Sequence, residues 1–384
     1  MKKLMMMVAA VAASVALADG AGTPTAKIKS ITNRYPWNGK IDVEYEVSNV
    51  GSSFDPIDKL VTKFTSEGVE KTAVTDLTEA ELKEGKVCRT FDCRELFGEG
   101  KRDVQAQSAA KLSPLDYDYA VIDISGGPNT NFYPVSYHKT APTGGWNVDE
   151  YKTSKIVLYY VKAGSYPGNQ YQSQQKDQTT TGFWIGMFPV TEAQYVKVMG
   201  GSGESMNPQV SVSYETLRGT SDPNVEVTGK SSFLRLLCDR TGLDGFDLPT
   251  ESQWEIACRA ETKTNYFWGE NDTTNADQYM WYSGNSGNPR SIQGVGQKLP
   301  NAWGLYDMAG NVWEWCRDEH QSKVVFVQSA DVSFKSEAGG ISRVQRGGAY
   351  DSPADNGRSS NRNVSGYSDS LDGNGFRLSR MSSK

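Results

Sequence analysis

The stretch 304–315, GLYDMAGNVWEW, constrains this chain more than any other. Two tryptophans, Trp313 and Trp315, flank one acid, Glu314, and two glycines, Gly304 and Gly310, bracket a second acid, Asp307. Tryptophan carries a large apolar area and belongs inside, whereas a carboxylate goes inside only when it is paired or bound to a cation. The segment is therefore either a surface turn with solvated acids, or a loop that wraps a hard cation with carboxylate and backbone oxygens. The ligand ladder of an EF-hand is missing, so the residues alone leave both readings open.

The N-terminus reads as a secretory signal peptide. Lys2 and Lys3 form a basic start, 4–15 is apolar, and Ala16-Leu17-Ala18 is an A-x-A cleavage site, which predicts removal of 1–18. No later apolar run approaches the ~20 residues of a membrane helix. The mature protein is expected to be soluble and secreted, periplasmic or on the cell surface, with no transmembrane segment. A formal charge of −6 without basic blocks argues against nucleic acid as a partner. Five cysteines in an exported chain permit disulfides, Cys88 with Cys93 being a local candidate. Cys238, Cys258 and Cys316 lie far downstream, and at least one cysteine stays unpaired.

Past the signal peptide the pattern is β. Ile41, Val43, Tyr45 and Val47 alternate with Asp42, Glu44 and Glu46, the period of a strand with one wet face. Asn38-Gly39 is a hairpin-turn signal, further strands are expected over 61–64, 87–91 and 104–109, and Thr78 with Glu81 is suited to cap a helical turn. These elements predict a small β-sandwich-like module over 19–127, then a linker over 128–154 and a second domain over 155–384. A strand is expected at 119–124 and another at 156–161. Thr191 with Gln194 and Thr250 with Gln253 are capping boxes, and Ser231 is expected to cap a helix that Gly242 ends. Beyond Ala260 loops dominate.

The motifs FWIGMFPVTEAQYVKVMG, FDLPTESQWEIACRA, KLPNAWGLYDMAGNVWEWC, RVQRGGAY and GNGFRLSR occur in this order. Together they resemble the formylglycine-generating enzyme (sulfatase-modifying factor) family, from about residue 155 to the C-terminus. The resemblance implies an α+β, C-type-lectin-like fold, loop-rich, with few helices and a small sheet. It also implies structural Ca²⁺ in the 304–315 loop, held by the carboxylates of Asp307 and Glu314 and the carbonyls of Gly310 and Val312. Trp254, Trp313 and Phe376 fall inside framework motifs and are expected to be buried.

The catalytic carry-over fails. Family enzymes oxidise a substrate cysteine with two cysteines that bind Cu(I); here the matching positions are Ser352 and Gly357. A hydroxyl and a hydrogen do not replace a soft thiolate pair, so copper is not expected. Cys258 is retained from a family disulfide whose partner position is Leu378. His138 and His320, the two histidines of the chain, cannot assemble a multi-histidine iron site. Ser352, His320 and Asp351 can be written as a triad, but no nucleophile elbow supports it.

The segment 350–370 consists mostly of Tyr, Ser, Asp, Asn, Gly and Arg. It reads either as a plain hydrophilic loop or as an adaptable contact surface of the kind seen in antibody loops. On the second reading Tyr350, Asp351, Asn356, Arg358, Asn361, Arg362 and Tyr367 contact a protein or glycan ligand. It also resembles the ligand-binding segment of some lectin-fold relatives. A ligand-binding module without copper chemistry is the first functional expectation; a genuine cysteine-to-formylglycine oxidase is the alternative.

Overall fold

The computed structural model describes residues 25–33, 40–48, 57–66, 69–76, 86–92, 95–96 and 105–112, then 117–381 apart from 172–173, 228, 230, 271–272, 321–328 and 336–339. The expected signal peptide, the 38–39 turn, the 78–81 helical turn and Cys93 lie outside these residues. The chain forms two compact units, Met1–Asp116 and Tyr117–Lys384.

The strands of the first unit are β1 (Thr25–Asn33), β2 (Lys40–Ser48), β3 (Ile57–Ser66), β4 (Val69–Asp76), β5 (Lys86–Asp92) and β6 (Gln105–Leu112). They make two antiparallel sheets, ordered β1-β2-β5 and β4-β3-β6. The alternation in β2 does what its period predicts: Val43 and Tyr45 are buried while Glu44 and Glu46 are exposed. Phe64 of one sheet meets Phe91 of the other edge to face, with ring centroids 4.8 Å apart. The two apolar faces therefore close on each other as a small sandwich.

In the second unit, β7 (Tyr119–Asp123), β8 (Val135–His138), β9 (Lys155–Val161), β10 (Gly164–Tyr171), β11 (Gln174–Thr180) and β12 (Phe183–Gly186) come first. Then follow β13 (Phe246–Asp247), β14 (Trp313–Glu319), β15 (Ser342–Arg346), β16 (Asn363–Gly366), β17 (Asn374–Gly375) and β18 (Ser379–Met381). Six of them form a sheet ordered β13-β18-β12-β9-β7-β8, and four form a second, β16-β15-β14-β17, in which β14 and β17 run parallel. Because β7 pairs with β9, the unit boundary falls at 116/117 and not near 127. The stretch 128–154 is likewise no linker. It supplies β8 and helix α1 (Glu150–Thr153), and its Trp146 is buried against Val121, Val157 and Phe188.

The remaining helices are α2 (Glu192–Met199), α3 (Tyr214–Arg218), α4 (Phe233–Thr241), α5 (Glu251–Arg259) and α6 (Ala276–Tyr279). Both predicted capping boxes are formed: Thr191 with Gln194 opens α2, and Thr250 with Gln253 opens α5. The cap of α4 is Ser232, one residue later than expected, because its extended backbone brings the hydroxyl to the Arg235 N–H. Helix α5 sends Trp254, Ile256, Ala257 and Cys258 into the main core beside Phe183, Ile185, Met308, Cys316 and Val344. Trp254, Trp313 and Phe376 are all buried, as expected. Among the described residues no helix is long and apolar enough to cross a membrane.

Candidate functional site

The 304–315 loop is held by its own backbone geometry. Asp307 (φ 53°) and Asn311 (φ 65°) take left-handed conformations that their short polar side chains tolerate. Gly310 (φ 76°) lies so close to Trp281 that a Cβ there would stand 2.2 Å from the Trp281 carbonyl oxygen, so only glycine fits. The Asn311 side chain closes the turn. Its Oδ1 accepts from the Gln293 N–H at 3.1 Å, and its Nδ2 donates to the Gln293 carbonyl at 2.9 Å. Strand β14 then carries Trp313, Glu314 and Trp315 inward.

Neither acid of the loop is solvated. Glu314 is 1% exposed. Its Oε2 accepts from Trp254 Nε1 at 2.6 Å and Arg377 Nε at 3.0 Å, and its Oε1 accepts from Arg377 Nη2 at 2.9 Å. Arg377 spends its other donors on the carbonyls of Gly186 (2.7 Å) and Tyr306 (2.8 Å). One ion pair thus ties α5, β14, β12 and the C-terminal GFR motif together. Asp307 is also buried, its Oδ2 accepting from the Gly296 N–H at 2.7 Å. Burial pushes its carboxyl up to about 6; the Gly296 hydrogen bond and Arg377 pull it down, and Glu314 pushes it further up.

These residues fit a hard cation. Glu314 is paired with Arg377 and Asp307 lies within electrostatic range of both, which leaves buried negative charge once Asp307 ionises. Glu314 Oε1 carries one hydrogen bond among the described residues and has room for a second partner. A mixed set of carboxylate and carbonyl oxygens suits Ca²⁺. The carbonyl of Gly310 already accepts the Val312 N–H at 2.8 Å and retains its second lone pair.

Ser352 and Gly357, the positions expected from the resemblance to replace catalytic cysteines, lie in a tight turn after β15. The Ser352 hydroxyl accepts from the Ala349 N–H at 3.3 Å, and the Ser352 carbonyl accepts from the Ser283 N–H. Gly357 ends a 3-10 turn, Ala354–Gly357. A Cβ at Gly357 would stand 2.7 Å from Met280 Sδ and 3.4 Å from Ala309 Cβ, so Met280 fills the space of a side chain there. No thiolate pair exists at these positions, and the site does not fit Cu(I). Cys258 and Cys316 are fully buried in the core, where burial pushes the Cys258 thiol up to about 12 and Cys316 well above its usual value. Burial of this kind disfavours the reactive thiolate. His320 packs near Arg362 and Glu251, with burial lowering its pKa, whereas Ser352 has the Ala349 amide as its partner. The triad of Ser352, His320 and Asp351 finds no support in these contacts.

The seven residues expected to contact a ligand divide into anchors and surface groups. Arg362 donates to both carboxylate oxygens of Glu251, with Nη2 at 2.8 Å from Oε2. The Asn361 carbonyl accepts from Arg346 and its side chain donates to the Asn356 carbonyl. Asn361 and Arg362 therefore hold the loop in place. Tyr350, Asp351, Asn356 and Arg358 cluster around the 3-10 turn, with Asp351 and Arg358 exposed. Tyr367 stands at the far end of β16, its N–H donating to the Ile341 carbonyl and its ring 5.6 Å from the Arg343 guanidinium.

Sequence reading missed the network beneath this loop. Arg346 Nη2 bridges Glu251 (2.9 Å) and Glu255 (2.7 Å), and Glu255 also holds Arg259 at 2.8 Å. Arg346 Nη1 reaches the carbonyls of Ser359 and Asn361. The signal was present in the acids of the apolar-faced α5 and in the arginine before the Gly-Gly pair. A charged residue inside a framework motif is a buried partner in waiting.

The chain matches the sulfatase-modifying factor enzyme 1-like domain over residues 153–382. Similar relatives include the chaperone protein LppX of Paenibacillus barcinonensis, 26% identical over 202 residues, covering 42% of this chain and 71% of that one. The serine/threonine-protein kinase pkn1 of Chlamydia caviae is 29% identical, covering 47% of this chain and 30% of that one. The formylglycine-generating enzyme of Streptomyces coelicolor is 34% identical, covering 28% and 36% respectively. The chain thus spans well under half the length of the last two. Among solved structures, Treponema denticola variable protein 1 is 25% identical with a TM-score of 0.47, covering 59% of this chain and 95% of that one. With the five ordered motifs in one folded unit and a family match across more than half its length, the chain belongs to the sulfatase-modifying factor enzyme 1-like family.

Proposed function

We propose that this protein is a calcium-stabilised ligand-binding member of its family without copper-dependent oxidase chemistry. The observation that carries the reading is the pair of positions 352 and 357: a serine hydroxyl bonded to the Ala349 amide, and a glycine whose missing side chain is replaced by Met280. Formylglycine generation needs a thiolate pair at such a place, and Cys258 and Cys316 are buried elsewhere in the core. The exposed Asp351 and Arg358 around the 3-10 turn, with the half-buried Tyr350 beside them, then serve as the contact face. The ion pairs of Arg346 and Arg362 beneath it supply the rigidity that a recognition surface needs. One relative is named a chaperone, which favours a protein over a glycan as ligand.

Ca²⁺ belongs to this reading as a structural ion held by Asp307 and Glu314 with the carbonyls of Gly310 and Val312. When bound it supplies charge compensation inside the loop. The N-terminal residues support export, with a mature chain beginning at Asp19; an intact mass from the native host that retains Met1 would contradict this. The oxidase alternative is tested by incubating the mature protein with Cu(I) and a sulfatase-type cysteine peptide. The reading expects the peptide to be recovered unchanged, and formylglycine in the product would overturn it.

A further inference from the structure

Away from the motif loops, a cavity of about 270 Å³ lies beside β13 and α4. Its apolar lining includes Val225, Cys238, Phe246 and Met381. Three guanidinium groups, Arg218, Arg235 and Arg317, also line it together with the acids Glu226, Asp244 and Asp247, and two of the three are already matched. Arg218 holds both oxygens of Asp247, at 2.6 and 2.8 Å, and gives its remaining donors to the Tyr214 hydroxyl and the carbonyls of Asp222 and Val225. Arg235 is paired with Asp239 on its own helix.

Arg317 is different. Its nearest carboxylate oxygen is Asp247 Oδ2, 3.6 Å from Nη1, beyond hydrogen-bond reach. That oxygen is already committed to Arg218, and the other also accepts the Leu248 N–H. Arg317 Nε is buried with no acceptor among the described residues. Asp244 and Glu226 also border the cavity, and neither pairs with Arg317 among the described residues. The cavity therefore combines apolar lining with a guanidinium whose one ion-pair partner is too distant for a hydrogen bond, a composition suited to orienting a small amphiphilic anion.

We propose that this cavity binds a small organic carboxylate, its head group on Arg317 and its hydrocarbon body against Val225, Cys238, Phe246 and Met381. A guanidinium presents a planar fork of donors that a carboxylate matches with two oxygens, and charge-assisted bonds of this kind are roughly twice as strong as neutral ones. The site is independent of the Ca²⁺ loop and of positions 352 and 357.

The test is isothermal titration of the mature protein with hexanoate, and with hexanamide as its uncharged match, at constant ionic strength. The expected result is saturable single-site binding of hexanoate, with hexanamide roughly tenfold weaker or more. Arg317→Gln should reduce hexanoate binding to the hexanamide level. Equal binding of the two probes by the wild type, no saturable heat with hexanoate, or undiminished binding by a folded Arg317→Gln would each overturn the proposal. The wild-type comparison stands by itself where the variant fails to fold.

Discussion

Replacing Glu314 by Gln tests the ion pair that ties the framework motifs together. In the wild type the Glu314 carboxylate accepts three hydrogen bonds, two from Arg377 and one from Trp254, in a site with side chains 0% and 1% exposed. Glutamine keeps one acceptor oxygen but turns an amide donor toward groups that are themselves donors, and it leaves the Arg377 guanidinium buried without a counter-charge. Breaking a buried pair from one side costs roughly 3–5 kcal/mol, a large part of a typical domain stability of roughly 5–15 kcal/mol. For a unit of this size the melting temperature should fall on the order of 10 °C. Arg377→Met should be similarly costly, since it strands Glu314 and frees the carbonyls of Gly186 and Tyr306. The double variant should cost less than the sum of the singles, with a coupling of roughly 1–3 kcal/mol. The assay is equilibrium urea unfolding followed by tryptophan fluorescence, with excess chelator in every sample so that no bound cation contributes. A Glu314→Gln cost below about 1 kcal/mol, or strict additivity of the two changes, would refute the reasoning.

Chelator should lower the melting temperature of the wild type, because a ligand bound only to the folded form stabilises it by mass action, about 2.7 kcal/mol at a hundredfold excess over Kd. Asp307→Ala is the better variant for this comparison, since it removes the oxygen ligand, leaves the Arg377–Glu314 pair in place and should abolish the chelator response; an unchanged wild-type melt would exclude the ion. Asp318 is fully buried, accepting the N–H groups of Glu251 and Phe334, and burial followed by Glu251 pushes its carboxyl up to about 6. A carboxyl whose folded pKa is raised binds its proton more tightly in the folded state, so its contribution favours folding at low pH and is lost as pH rises from about 4 through about 6. Between pH 5 and 7.5 the wild type should therefore lose stability, on the order of 1 kcal/mol, that Asp318→Asn does not lose. Urea midpoints at the two pH values check this, and an identical pH dependence in both proteins would contradict it.

What was legible in the sequence was local. The capping boxes at Thr191 and Thr250 follow from four consecutive residues each, and they form. The alternation around Val43 and Tyr45 sets one face of β2, and the tryptophans and Phe376 in the motifs are inside. Strand β14 left no alternation to read because it is buried on both faces. The 128–154 stretch resembled a linker through its Gly and Pro content, yet Trp146 and β8 place it in the folded unit. The site was half legible for the same reason. The positions of Asp307, Glu314, Ser352 and Gly357 can be read from motifs, but their partners are distant in the chain. Glu314 meets Trp254 and Arg377 from 60 and 63 residues away. Nothing near Gly357 announces that Met280 fills its side-chain space, or that Arg362 belongs to Glu251 rather than to a ligand. Such pairings are products of the fold.

The most direct test of the central claim is a Cu(I) titration of the mature protein against a competing chromogenic chelator under reducing, anaerobic conditions. The account predicts that the chelator keeps the metal, because position 352 offers a hard hydroxyl and position 357 no side chain at all, and no thiolate pair stands there. Stoichiometric transfer of Cu(I) to the wild-type protein, lost on Cys316→Ser or Cys258→Ser, would contradict it.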